Sequence, residues 1–432
     1  MGGLKIKKYL LFLAFMLMIT SYLPIFSRVS RFGIGVHSYW AILWFVSLFF
    51  LIPRALGNKN FLYILFFMGI FVLLLLSTIW VNVDEWSKRE TRLEVLSFLV
   101  PMSLYSYFTF SKDFSGLAIL VKWTIFFIAV TAILSIFTTT IDPLYVRNFG
   151  SYSEAEIKAL SKFGGGGYGF TGALVFLFPI IIYYYRNSSK IPYNKPIILI
   201  FGIVCFIAVL RMQIFANIIL SVFVIIISLA GTRRIRKSLV FTGMFLIMFV
   251  LIPKHFYSDF LIDASSHFKP DSDVSFKLND MATFIKLGNV SEETSTGGRI
   301  ERYPLLWEGF KSNPLLGVYN SDSTLDISPG GHLYWMHKLT VYGILAFIPF
   351  ILIFYFHIKK VIKQFDPEYT FYFLLSVFSG LGLGLIKSLY GRDFWTMFFF
   401  IIPGLYYFPL LKKKAPTTGK RQLRQDNTSL TP

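Results

Sequence analysis

The sequence predicts an all-α, polytopic membrane bundle of about twelve transmembrane helices with one long external loop. Three observations lead there. Of 432 residues, 55% are hydrophobic and 15% charged, with a mean hydropathy of +0.61. Apolar runs of about 20 residues, enough to cross the hydrocarbon core as a helix, recur along the chain. The long stretch that is not apolar is 254–335, and it contains short helical patterns.

In order, the spans are expected at 9–26, 39–53, 61–79, 93–110, 116–139, 167–185, 196–210, 212–230, 238–253, 336–357, 369–389 and 394–411. The first nine fill residues 1–253, the loop is 254–335 and the last three fill 336–411. Only Arg211, Met212 and Gln213 separate the seventh span from the eighth. Residues 412–432 form a basic tail whose polar, Pro- and Thr-containing end reads as disordered. The first apolar run is followed by SYLPIFSRVS, without a small-x-small cleavage pattern, so it is expected to stay as an anchor. No internal repeat is visible.

Orientation follows from the cationic residues of the short loops. With the N-terminus inside, 22 Lys and Arg fall on the cytoplasmic side, among them Lys5, Arg54, Lys112, Arg186, the group Arg233, Arg234, Arg236 and Lys237, and the tail. Both termini are then cytoplasmic and 254–335 is external. That loop carries 11 acidic and 7 basic residues, a formal charge of −4. The chain's +19 is therefore a topology signal and not the footprint of a nucleic-acid binder. The single cysteine, Cys205, lies in a span and excludes a disulfide within the chain.

Polar chemistry gathers in the loop. Tyr303, Leu306, Trp307 and Phe310 stand at helical spacing, Pro304 suits a first turn, and Asn313-Pro314 stops the helix. Arg299 and Arg302 would then stand at the N-terminal end of a short amphipathic helix, where free backbone N–H groups also favour an anion. Two guanidiniums there can grip a diphosphate through paired donors, or simply be solvated. His332 follows Pro329-Gly330-Gly331, and an imidazole is the usual acceptor of a hydroxyl proton, though an interfacial histidine can be structural. His337, five residues on, does not complete the i, i+4 spacing of a helical metal pair. No metal motif, nucleotide motif or redox cofactor motif is present.

Arg211, Lys338, Lys387 and Arg392 fall near the outer ends of spans, an arrangement suited to an anion-accepting mouth, although each can also snorkel to the interface. The run Gly164–Gly167 lacks the Lys-Ser/Thr ending of a phosphate loop and reads as a flexible entry to the next span. Asp142, Glu154 and Glu156 are solvated acids, or one of them orients an acceptor.

The loop resembles the O-antigen ligase and O-antigen/capsule polymerase superfamily of bacterial envelope glycosyltransferases. The matching residues are Gly298-Arg299, Arg302-Tyr303, Phe310, Asn313-Pro314-Leu315-Leu316-Gly317 and His332, with Gly343 eleven residues later. Arg211 looks like the arginine that precedes the family's long loop. The detailed match covers about 50 residues, and the rest of the chain matches in topology. Two departures, Leu333 after the histidine and Ala346 where a second glycine is frequent, point away from the ligase branch.

The resemblance implies a glycan donor on a polyprenyl diphosphate at the outer face of the bacterial inner membrane. The departing diphosphate then needs cations, for which Arg211 and Arg299 are the first candidates and Arg302 the third, and the attacking hydroxyl needs a base, for which His332 is the candidate. Lys387 and Arg392, from the mouth of span-end cations, join the diphosphate set, and the sequence requires no cofactor. Polymerisation of lipid-linked repeat units is the leading expectation, beside a chain-length regulator and a flippase of the same pathway. The alternatives are a ligase moving the glycan to a lipid A core or other acceptor, and a lipid-linked glycan flippase. The missing repeat and the one-sided charges favour an enzyme over an alternating-access carrier.

Overall fold

The computed structural model describes residues 3–27, 30–31, 34–57, 59–78, 85–142, 146, 164–231, 254–268, 273–287, 295–318, 333–389 and 391–412. The expected span 238–253, the acids Glu154 and Glu156, His332 and the tail beyond Lys412 lie outside the described residues.

The architecture is all-helical. The helices are α1 (Gly3–Tyr22), α2 (Pro24–Ser27), α3 (Val36–Leu51), α4 (Lys59–Thr78), α5 (Glu85–Ser111), α6 (Phe114–Ile141), α7 (Tyr168–Arg186), α8 (Lys195–Arg211) and α9 (Phe215–Ala230). The loop region supplies α10 (Lys254–Ser266), α11 (Asp273–Leu287) and α12 (Ser295–Ser312). Then come α13 (Tyr334–Ile362), α14 (Pro367–Gly382), α15 (Arg392–Thr396) and, after a π-helical turn at Met397–Ile401, α16 (Ile402–Leu405). A two-residue antiparallel bridge, Ser30–Arg31 with Ile34–Gly35, is the strand pairing among the described residues.

Among the described residues four helices are long and apolar enough to cross a bilayer, at Phe114–Ile141, Tyr168–Arg186, Tyr334–Ile362 and Pro367–Leu385, which marks the chain as a membrane protein. The apolar helices α3 and α9, each 16 residues, are shorter than the roughly 20 residues of a full crossing. Met212–Ile214 separates α8 from α9 by a turn in which Gln213 adopts φ 54°, so the seventh and eighth apolar runs are distinct helices.

Helix α7 lies at the centre, with most of its side chains buried. It packs against α8, α9, α14 and α15. The Ser376 hydroxyl ties α14 to it by donating to the carbonyl of Phe176. Beside it an aromatic cluster joins α5, α13 and the last segment, with Phe98 meeting Trp395 edge-on at 4.6 Å and Phe350 stacking on Phe98 at 5.8 Å.

Two expected spans end differently from the pattern. The run 369–389 is helical only to Gly382, after which a 3₁₀ turn at Leu383–Leu385 leads into irregular backbone. Gly380, Gly382 and Gly384 lower the helical preference there. The run 394–411 stays helical through Pro403 to Leu405, but Pro403 brings no N–H to the preceding turn, Met397–Ile401, which has π geometry, and the run ends in a 3₁₀ segment at Phe408–Leu411. Tyr369 supplies a donor to the carbonyl of Ile402 at 2.7 Å, and Tyr184 supplies one to that of Leu405.

Candidate functional site

A pocket of about 200 Å³ opens at the N-terminal end of α7. Three chain segments build it. Tyr168, Gly169 and Gly172 come from the first turns of α7, Ile214 and Asn217 from the entry to α9, and Leu383, Lys387, Ser388 and Leu389 from the unwound stretch after α14. Phe394 closes it, and a Cβ on Gly172 would stand 3.1 Å from that ring, so a side chain there would crowd the wall. Gly391, at φ 105°, lets the chain pass Gly169 backbone to backbone.

Lys387 is the cation on this lining. Its backbone is held from both sides: its N–H donates to Leu383 at 2.7 Å, and its carbonyl accepts the N–H of Tyr334 at 3.3 Å. The ammonium thus stands on a stretch fixed between the end of α14 and the start of α13. Asn217 is buried beside it, and its side chain makes no hydrogen bond among the described residues. A cation, a carboxamide, Ser388 and Tyr168 facing one small cavity suit a ligand rich in acceptor oxygens.

Helix α12 docks on the rim. The Tyr303 hydroxyl donates to the carbonyl of Leu385 at 2.6 Å, two residues from Lys387, and the Thr340 hydroxyl donates to that of Leu306 at 2.8 Å. The helix begins at Ser295, two turns before the expected start, and contains Pro304 in its interior. Arg299 and Arg302 are therefore inside α12 and not at its N-terminus, which removes helix-end N–H groups from the proposed grip. Arg299 is described by its backbone alone; Arg302 is half-buried, and its charge reaches His337.

The chain leaves α12 as expected at Asn313-Pro314, and the turn beyond accounts for Gly317 and Gly343. Helix α13 is broken at Gly343, with φ 60° and ψ 178°, a conformation essentially confined to glycine. Into the break the N–H groups of Ile344 and Leu345 donate to the carbonyls of Pro314 and Leu315, at 2.9 and 3.2 Å. A Cβ on Gly343 would strike Gly317 N and Leu315 O, and one on Gly317, at φ 76°, would strike Val341 O.

Arg211, Lys338 and Arg392 are not on the lining, although Arg211 stands three residues before the lining Ile214. Arg211 is exposed at the end of α8 and donates to the Thr139 carbonyl at 3.0 Å and the Thr140 hydroxyl at 3.1 Å, capping the C-terminus of α6. Arg392 lies within electrostatic reach of Asp393 and His37, and burial works against its charge. Burial also pushes the Asp393 carboxyl up to about 6, opposed by the Phe394 N–H and by Arg392. Lys338 does not serve the mouth. It is paired with Glu94, both side chains 9% exposed, and Glu94 also accepts the hydroxyls of Tyr334 and Tyr342.

Glu94 and Asn217 were not singled out from the sequence. An acid at the start of an apolar run was a readable signal for the first. A lone Asn in an apolar run gave none for the second.

His332 lies outside the described residues. Its neighbour Leu333 is buried at φ 69°, one of three non-glycine residues with positive φ among the described residues, together with Gln213 and Lys112. Gly164–Gly167 is a packed turn, with Gly164 at φ 69° against Ile25 and the Gly166 N–H on the Ser135 hydroxyl at 2.9 Å. Among the described residues no group of three or more His, Cys, Asp or Glu stands together as metal ligands would.

No protein-family model matches this chain, and no curated protein matches it.

Proposed function

We propose that this protein is a bacterial inner-membrane glycosyltransferase that polymerises polyprenyl-diphosphate-linked oligosaccharide repeats, with twelve spans, both termini cytoplasmic and the α7 N-terminal pocket facing outward. The observation that carries the reading is Lys387 on a pocket whose rim holds α12, the helix bearing Arg299 and Arg302. The loop residues that resemble the polymerase family support it as well.

In this reading an acceptor hydroxyl oxygen attacks the anomeric carbon, the bond from that carbon to the diphosphate oxygen breaks, and polyprenyl diphosphate leaves with the electron pair. Lys387, Arg299 and Arg302 stabilise the departing charge. Arg211 contributes through donors not used on α6. His332 takes the hydroxyl proton. Asn217 holds a sugar or phosphate oxygen.

The test uses purified full-length protein in vesicles with a lipid-linked repeat unit. Lys387→Ala should lower polymer formation by about 10²–10³, the usual loss for one donor to a developing anion. His332→Ala should lose about 10²–10⁴ while donor binding survives. Polymer of normal amount and length from both variants would overturn the proposal.

A further inference from the structure

A second cavity, about 400 Å³, lies at the opposite half of α7, between α6, α7 and α8. Its lining uses α7 from Leu177 to Tyr184, whereas the pocket described above uses Gly169 and Gly172, so the two sites sit in different halves of the bundle. The walls are almost wholly apolar. They merge with exposed Phe126, Ile133 and Ile200 on the flank, so a ligand enters sideways from the bilayer. Along α6 the crevice runs from Lys122 to Ile133, about 16 Å at 1.5 Å per residue.

Three polar side chains line it: Lys122, Tyr184 and Tyr193. The Tyr184 hydroxyl is already used on the Leu405 carbonyl. Lys122 and the Tyr193 hydroxyl have no hydrogen-bond or ion-pair partner among the described residues, and no carboxylate lies on the lining. Lys122 stands about 12 Å up α6 from Phe114, exposed beside Trp123 on the crevice lining. An ammonium at such depth against hydrocarbon is costly unless it meets an anion. An elongated apolar slot with one cation and one hydroxyl donor is complementary to a single phosphate carrying a hydrocarbon chain.

We infer that this crevice is a binding site for an anionic phospholipid of the surrounding bilayer, its acyl chain between α6 and α8 and its phosphate on Lys122 and Tyr193. The inference does not depend on the glycosyltransferase reading.

The experiment reconstitutes the full-length protein in nanodiscs of equal phosphatidylglycerol and phosphatidylcholine, releases it into mild detergent and identifies the retained lipid by native mass spectrometry. Wild type should retain phosphatidylglycerol over phosphatidylcholine by about tenfold or more, the equivalent of one charge-assisted hydrogen bond. Lys122→Gln should bring the ratio to that of the disc, and Lys122→Arg should keep it. Ala129→Trp, which fills the slot from its membrane side, should lose both lipids while the protein elutes as a folded species. Equal retention of the two lipids by wild type, an unchanged preference in Lys122→Gln, or an isoprenoid phosphate in place of phospholipid in protein taken directly from cells would overturn the inference.

Discussion

Replacing Lys338 by methionine should destabilise the protein without touching the proposed chemistry. The ammonium is paired with Glu94 where each side chain is 9% exposed, and among the described residues the carboxylate's other partners are the hydroxyls of Tyr334 and Tyr342. Removing one member of such a pair leaves an uncompensated buried charge, which costs about 3–5 kcal/mol. The two phenol donors stay and offset part of this, so a net loss of about 3 kcal/mol is expected, a large share of a typical domain's stability. The double variant Glu94→Gln/Lys338→Met has no charge left to strand, and a glutamine carbonyl can accept from both tyrosines. It should recover most of the loss. Thermal unfolding in mild detergent, followed by fluorescence-detected size exclusion, reads both variants, and polymer formation by the double variant should stay near wild type. A double variant as unstable as the single one would refute the stranded-charge argument. Loss of polymer formation in a stable double variant would return Lys338 to the donor site.

Other outcomes are equally concrete. Gly343→Ala and Gly317→Ala each force a Cβ into backbone at positive φ and should each cost at least about 1–3 kcal/mol of thermal stability; wild-type melting of either would contradict the break as described. In a Cys205→Ser background, a cysteine at Ser321 should react with an impermeant thiol reagent in spheroplasts and one at Ser238 should not, and the reverse pattern would invert the orientation. Asp393 has a folded pKa raised from 3.8 to about 6, so the folded state holds its proton more tightly than the unfolded chain. Its stabilising contribution is therefore complete below about pH 4 and is lost as pH rises through about 6, so Asp393→Asn should gain on wild type across that window by up to about 3 kcal/mol. Parallel stability curves from pH 4 to 7 would refute it.

The helical class and most helix positions were legible, because runs such as Phe114–Ile141 and Tyr334–Ile362 are apolar over more than a bilayer thickness. Where the pattern misled, a long-range partner decided. The start of α12 was hidden by Gly297-Gly298, whose weak helical preference is overridden once Tyr303 and Leu306 are anchored to Leu385 and Thr340. Lys338 looked like one more cation at a helix end, since its partner is 244 residues away. The position of Gly343 was readable but its reason was not, because the groups that occupy the break arrive from the turn after α12. Lys387 was recognised as a cation near a span end, yet the unwinding that places it on a pocket follows from three alternating glycines whose effect no periodicity measures.

The turn after α12 supplies the carbonyls that α13 lacks within itself at Gly343. Anyone grafting this region between relatives should therefore not cut at the nominal end of the polar loop. A transplant stopping before Tyr334 would bring the carbonyls of Pro314 and Leu315 against a host helix whose bend must match them to the residue. The natural unit of exchange runs from Ser295 through Leu345, so evolution and engineering alike should swap loop and half-helix as a single cassette.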